Sequence, residues 1–295
     1  MAGAADFVRG GLAGGEAVMV ATIPANLRGL RRALGIDASR VALVDMSELG
    51  RNPGRILPVW REFARNQAAA GRRARGIGEP VWAGRAPEEL DECCRHEALI
   101  NTALHGADSD FWLLCPYDST ALERATLAAV EWTHPRLYDG RRGRSSRDFR
   151  PTLGDAAFDG ELDRPPPDAR RFGIEEGALA DLRVFVRRAT AGSGLGPRRV
   201  DDLCLIATEL ATNSLRHARG GATVAVWTSA GAVHCEVDDA GRMDDPLVGR
   251  LNPHPQRTRG RGVWIVHQLA DLVRIRSSPA GTRIRVTVRL PTAPG

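Results

Sequence analysis

Residues 200–219 read VDDLCLIATELATNSLRHAR, and the reading of this stretch decides the fold of the second half of the chain. Leu203, Ile206 and Leu210 recur at helical spacing and mark a buried stripe. Glu209, Asn213 and His217 stand at i, i+4 and i+8, so they share one face of the same helix. At about 100° per residue, Asn213 and His217 overlap the apolar stripe and Glu209 lies at its shoulder. Burying a carboxylate and an amide without partners costs several kcal/mol. Such a face is satisfied by another part of the fold, by water, or by a ligand carrying a metal; a solvated surface helix is the alternative.

The residues downstream add to this face. In the alternating run from Val233 the inward positions are Val233, Cys235, Val237 and then Asp239. A carboxylate therefore closes an apolar face just before Ala240-Gly241, where it can accept hydrogen bonds from a ligand such as an adenine amino group; a turn-forming aspartate is the simpler reading. In the last strand Ile284, Val286, Val288 and Leu290 face inward, and Thr282, after Gly281, ends the same face. Gly260-Arg261-Gly262 precedes the apolar positions Val263, Val266 and Leu269. Glycine allows close backbone approach, and a helix start offers N–H groups to phosphate.

Around these positions the pattern predicts helices over Glu176–Ala191, Val200–Arg219 and Gly262–Ala270. It predicts strands over Thr223–Thr228, Val233–Val237, Leu272–Arg276 and Thr282–Leu290, with turns at Ala230-Gly231 and Pro279-Ala280-Gly281. Helices and hairpins in this order make an α+β two-layer sandwich. Gly192-Ser193-Gly194-Leu195-Gly196 joins two helices and reads as a loop.

The first half alternates differently. Strand-like runs at Ala17–Ala21, Val41–Val44, near Ile77 and at Phe111–Cys115 are separated by helical patterns at Pro24–Leu34, Arg55–Ala70, Pro87–Leu104 and Thr120–Trp132. Unbroken apolar strands between helices predict a parallel α/β sheet covered on both faces. Ligands of such sheets sit beyond the carboxyl ends of the strands, which singles out Asp45, Gly78-Glu79 and the turn Cys115-Pro116-Tyr117-Asp118. Residues 139–171 break the alternation with Arg141, Arg142, Arg144, Arg147, Arg150 and Pro165–Pro167, and read as an exposed linker.

The 295 residues suit two domains. All 41 basic side chains are arginine, since the chain contains no lysine. That excludes lysine Schiff-base chemistry and any Walker-type lysine on a phosphate. The net charge of +5 and pI near 9.4 come from scattered arginines, so no nucleic-acid partner is expected. Cys93, Cys94, Cys115, Cys204 and Cys235 form neither an even disulfide framework nor a C-x-x-C pair. Cys93 and Cys94 cannot share a helix face, and Cys93 with His96 lacks further zinc-type ligands, so a core thiol and a hydrogen-bonded imidazole are expected there. No apolar run is long enough to cross a membrane and the start lacks a secretory pattern, which makes a reducing cytoplasm the expected location.

Taken in order, Glu209-Leu-Ala-Thr-Asn213-Ser-Leu-Arg-His217, Asp238-Asp239-Ala-Gly241, Gly260-Arg261-Gly262 and Gly281-Thr282 resemble the four ATP-binding boxes of the Bergerat-fold, histidine-kinase-like (GHKL) ATPases. The likeness spans Phe172 to Leu290, and its nearest branch is the bacterial anti-sigma-factor serine kinases. It implies ATP and Mg2+ as cofactors, with Asn213 on the metal and Glu209 as general base or orienter. It also implies Asp239 on adenine beside Gly241, Gly260, Arg261 and Gly262 against the phosphates, Thr282 in support of Asp239, and residues 242–259 as the ATP lid. The box usually carries a second glycine two residues after Gly241, where this chain has Met243. No helix bearing a phosphoacceptor histidine precedes the domain, which disfavours a two-component histidine kinase.

Arg51-Asn-Pro53-Gly-Arg55, Gly76-Ile-Gly-Glu79-Pro-Val-Trp82, Cys94-Arg-His96-Glu97 and Leu114-Cys115-Pro116-Tyr117-Asp118 resemble the MEDS sensory domain, whose core is expected to be RecA-like. The match runs from about Phe7 to His134 and lacks the first strand of that family. The expected organisation is a sensory domain over residues 1–138 with a small-molecule ligand, a linker over 139–171, and an ATPase domain over 172–295. The resemblance implies an anti-sigma factor acting as a protein serine/threonine kinase on an anti-sigma antagonist, with a sigma factor as second partner and an ATPase-domain homodimer. A non-catalytic nucleotide- or ligand-sensing switch that sequesters a partner stays open beside it.

Overall fold

The computed structural model describes residues 2–104, 111–140, 142–151, 159–218, 220–229, 231–253 and 260–291. Arg219, Ala230 of the expected turn, Arg141, residues 152–158 of the expected linker and residues 254–259 of the expected lid lie outside the described residues. The chain divides into two compact units, Met1–Gly154 and Asp155–Gly295.

The first unit is built on a parallel sheet with strand order β2-β1-β3-β4. Its strands are β1 (Ala17–Thr22), β2 (Val41–Asp45), β3 (Ala74–Gly78) and β4 (Phe111–Leu114). β1 is buried from Val18 to Thr22 because both of its edges are paired, Val20 standing opposite Leu43 and Ile77. That is why it reads as a continuous apolar run rather than an alternating one.

Helix α1 (Ala2–Ala13) contributes Ala5, Val8 and Leu12 to a core shared with Leu27, Leu30 and Leu34 of α2 (Pro24–Leu34). α2 begins on Pro24, whose fixed φ suits the first helical turn. A four-residue helix, α3 (Met46–Leu49), follows β2. From α4 (Ile56–Ala69), the fully buried Trp60 lies over Gly76 and Gly78 of β3, where the missing β carbons make room for the indole. α5 (Pro87–Leu104) and α6 (Arg124–Thr133) complete the layer. A hairpin of β5 (Arg136–Tyr138) and β6 (Gly143–Ser145) then runs into the stretch expected to be a linker. Arg144 pairs with Glu131, and Arg150 stacks over Trp132, so arginine side chains order a segment that composition marks as solvated.

The second unit has an antiparallel sheet with strand order β10-β11-β9-β8-β7. Its strands are β7 (Arg170–Ile174), β8 (Ala222–Ser229), β9 (Ala232–Asp239), β10 (Leu272–Ser278) and β11 (Gly281–Arg289). β7 was not expected. Its inward residues are Phe172 and Ile174, opposite Val224 and Ala222, but Arg170, Arg171 and Gly173 hide that alternation in the sequence. The helices α7 (Leu179–Ala189), α8 (Pro197–His217) and α9 (Gly262–Leu269) form the second layer. Leu203, Ile206 and Leu210 of α8 are buried against Val233, Cys235, Val237, Ile284, Val286 and Val288 of the sheet and Val263 and Val266 of α9. This is the two-layer α+β arrangement that the periodicities predict.

The opposite face of the sheet is polar and also covered. Glu236 and Arg285 stand side by side in register, and the guanidinium bonds the carboxylate. Arg283 donates to the carbonyl oxygen of Leu162 at 3.0 Å, and Arg285 donates to that of Asp163. Burial raises the Glu236 carboxyl above its ordinary pKa despite the pull of Arg285.

Candidate functional site

Helix α8 starts at Pro197, three residues earlier than the spacing predicts, because Gly196 and Pro197 suit an N-cap and a first helical position. Its buried stripe ends at Ser214. His217 is exposed, contrary to the expectation that it overlaps this stripe, since the helix stops there and Ala218 is already extended. Glu209 and Asn213 are half-buried on the shoulder facing α9.

What faces them is the start of α9. A β carbon on Gly262 would stand 2.8 Å from Oε2 of Glu209, 3.1 Å from Nδ2 of Asn213 and 3.4 Å from its Oδ1. Glycine at this position is what lets the two helices approach. Gly260 has φ +85° and Arg261 is the exposed N-cap residue. Ile265 N–H donates to the Arg261 carbonyl, and the N–H groups before it, in the first turn beside Glu209 and Asn213, have no partner within the helix. An anion is favoured at that helix start and a cation between the carboxylate and the amide oxygen.

The second half of the site is reached through the residue after Asn213. Ser214, buried, donates its hydroxyl to Oδ2 of Asp239, while the Gly241 N–H donates to Oδ1 at 2.7 Å. Each carboxylate oxygen keeps a second lone pair, so Asp239 remains able to accept from a ligand amino group. Thr282 stands opposite Asp239 in the β9–β11 register, but its hydroxyl donates to the Gly241 carbonyl at 2.9 Å rather than to the carboxylate. It thus reaches Asp239 through the turn rather than by a direct bond. Gly281, with φ +142°, brings β11 so close that a side chain there would collide with the Asp239 carbonyl.

Met243 belongs to the same network. Its N–H donates to Oγ of Ser277 at 2.8 Å, and Ser277 and Thr282 share a hydroxyl–hydroxyl bond of 2.7 Å. The methionine side chain packs against the core of the unit.

The structure thus gathers Glu209, Asn213 and Gly262 on one side of the C-terminal part of α8, and Asp239, Gly241 and Thr282 on the other. Gly260 and Arg261 flank the first group. Ser214 joins the two halves, and Ser277 ties Met243 to Thr282 within the second; neither was singled out from the sequence. For Ser214 a signal existed: a small polar residue four positions after Leu210, on the apolar stripe.

The strand ends singled out in the first unit have local duties. Asp45 caps α3 by accepting from the Ser47 N–H at 2.8 Å and the Ser47 hydroxyl at 2.6 Å. Glu79 receives the Thr22 hydroxyl and the Asn26 amide. Asp118 closes a turn on Thr120. The Cys93 thiol is buried, 3.2 Å from the Pro80 carbonyl, and burial pushes it up to about 12.

Residues 174–288 match the family model described as histidine kinase-like ATPase domain. The second unit carries that ATPase domain. The ATPase-domain match begins at the last residue of β7 and ends within β11, enclosing every residue of the α8–α9–β9–β11 site. Residues 1–135 match the MEDS family, described as a methanogen/methylotroph, DcmR sensory domain. Among solved structures, the RsbU and RsbW domains of Rv1364c from Mycobacterium tuberculosis align at 21% identity and a TM-score of 0.33. That alignment covers 43% of this chain and 34% of the other, so this chain spans about a third of it. No curated protein shows a significant match. Among the described residues no helix is long and apolar enough to cross a membrane.

Proposed function

We propose that the ATPase domain binds ATP with Mg2+ and phosphorylates a serine or threonine of a small antagonist protein, the kinase reaction of an anti-sigma factor, under control of the MEDS domain. The observation that carries this reading is the contact of Gly262 with Glu209 and Asn213, which brings a helix start, a carboxylate and an amide to one point. These groups fit a nucleotide phosphate and its cation. Bound Mg-ATP would supply the transferable phosphoryl group and most of the charge neutralisation.

The chain's own residues position and polarise. Asn213 offers its amide oxygen to the cation, and the N–H groups at the start of α9, with Gly260 and Arg261, hold phosphate oxygens. Asp239, braced by Ser214 and Gly241, accepts from the purine amino group. Glu209 orients the attacking hydroxyl and takes its proton at Oε2. Nothing in this set requires lysine.

Glu209→Ala tests the assignment. Titration calorimetry should show Mg-ATP affinity within about threefold of the wild type, while radiolabel transfer to an antagonist encoded beside this chain falls by about 10²–10⁴-fold, the range of a lost general base. Transfer at the wild-type rate would remove Glu209 from the reaction.

A second reading, a nucleotide-binding switch that acts by sequestering a sigma factor without transfer, is favoured by Met243. A backbone tied to Ser277 and a side chain packed on the core stand where the related boxes have glycine. Tight Mg-ATP binding with no transfer to the antagonist, but with capture of the sigma factor, would select it.

A further inference from the structure

We propose that Glu97, Cys115 and His134 of the sensory unit form a site for a divalent transition-metal ion, with one coordination position left for an exogenous ligand. The three residues come from different elements: Glu97 from α5, Cys115 from the turn after β4, and His134 from the end of α6. Their ligand atoms all lie within 4.8 Å of one another.

Two of the three ligand-to-ligand distances match those around a tetrahedral ion, and the third, between Sγ of Cys115 and Nε2 of His134, lies within 4.8 Å. Oε2 of Glu97 is 3.4 Å from Nε2 of His134 and 3.5 Å from Sγ of Cys115. A tetrahedral ion with bonds of about 2.0 Å to N and O and about 2.3 Å to S sets its ligands about 3.3 Å (N···O) and about 3.5 Å (S···O) apart. A direct N–H···O bond would draw the imidazole in to about 2.9 Å.

The imidazole is oriented for this purpose. Its Nδ1 lies 3.0 Å from the Val130 carbonyl and 2.9 Å from the Thr133 hydroxyl. A proton on Nδ1 donated to Val130 leaves the Nε2 lone pair facing the Glu97 carboxylate. Burial disfavours a second proton on the ring, but the Glu97 carboxylate outweighs it and raises the His134 pKa, so a metal ion would take the place of a proton at Nε2.

The remaining atoms describe the open position. Oε1 of Glu97 and the Tyr117 hydroxyl are buried without a hydrogen bond of ordinary geometry. The Tyr117 ring stands edge-on to His134, 5.6 Å between centroids. Thiolate, imidazole and carboxylate together favour zinc or cobalt over magnesium or calcium. Burial and the neighbouring Glu97 push the Cys115 thiol well above its ordinary pKa, so the thiol is protonated until an ion arrives. Binding then forms the metal–sulfur bond and releases that proton to solvent.

The test uses full-length, tag-free protein, stripped with a chelator and titrated with Co2+. One equivalent should bind per chain, with tetrahedral visible bands and a near-ultraviolet thiolate-to-cobalt band. Cys115→Ser should abolish that band, and His134→Gln should weaken binding by more than the roughly 10–100-fold typical of losing an outer-shell partner. Cys94→Ser, a neighbouring thiol, should bind as the wild type does. A titration that stays pale and octahedral, or a charge-transfer band that survives in Cys115→Ser, would overturn the proposal. If Cys115→Ser fails to fold by circular dichroism, folded His134→Gln decides the matter: wild-type affinity there overturns the site equally.

Discussion

Gly262 touches Glu209: the first residue of α9 leaves no room for a side chain beside the Glu209 carboxylate. The contact joins helices from separate parts of the chain and holds Glu209 beside a helix start. Its consequences differ for stability and for function.

Gly262→Ala separates the two. The new methyl meets the tips of Glu209 and Asn213, which can move, so the fold is expected to stand. Alanine is also the better helix former, by about 1 kcal/mol in a helix interior and by less at this first helical position. The thermal midpoint should therefore hold or rise slightly, while Mg-ATP affinity drops about tenfold or more in a calorimetric titration.

Asp239 is braced by Ser214 and Gly241, which makes the brace testable apart from the ligand contact. Asp239→Asn replaces an acceptor with a group that is half donor and should weaken adenine-nucleotide binding by about 1.5–3 kcal/mol, a hydrogen bond to a charged group. Ser214→Ala keeps the carboxylate but loses its buried bond. It should lower unfolding stability by about 1–2 kcal/mol in urea, with a smaller effect on affinity.

Glu236 and Arg285 form a buried pair on the face of the sheet away from the site. Glu236→Ala strands a charged guanidinium and should cost about 3–5 kcal/mol in chemical denaturation. Glu236→Leu combined with Arg285→Met removes both charges and should recover most of that loss. A double variant as unstable as the single one would show that packing, rather than the orphaned charge, dominates.

His267 sets an acid limit for the ATPase domain. Burial, with the nearby Arg250, holds its imidazole well below the ordinary 6.5, so the folded chain keeps it neutral while the unfolded chain takes up a proton. Below pH 6.5 the unfolded state binds more protons and stability falls as pH falls, by up to about 1.4 kcal/mol per pH unit, until the depressed native pKa is reached. Thermal midpoints followed by circular dichroism from about pH 7.5 to 5 should decline, and His267→Gln should flatten that decline.

Much of the architecture was legible in the chain because helix and strand periodicity are local. α2 and α5 begin and end where their spacing and prolines place them, and β9 shows its inward face as Val233, Cys235, Val237 and Asp239. β7 escaped because it opens on two arginines and carries only two apolar residues, Phe172 and Ile174, separated by a glycine. The short β5–β6 hairpin escaped because arginine contacts, not apolar residues, hold it.

By itself, the sequence determined most of the helices and the longer strands, the order of the boxes along the ATPase domain, and the face of α8 that carries Glu209 and Asn213. Only the tertiary structure decided that His217, at the end of that face, is exposed, that Ser214 grips Asp239 from 25 residues away, and that Thr282 bonds the Gly241 carbonyl across 41 residues. It likewise brought Glu97, Cys115 and His134 to one point. The reason is the reach of the forces involved. Periodic burial is set by neighbours three or four residues apart, whereas a side-chain hydrogen bond or a ligand set depends on ångström-scale positions that exist only once distant strands and helices have packed.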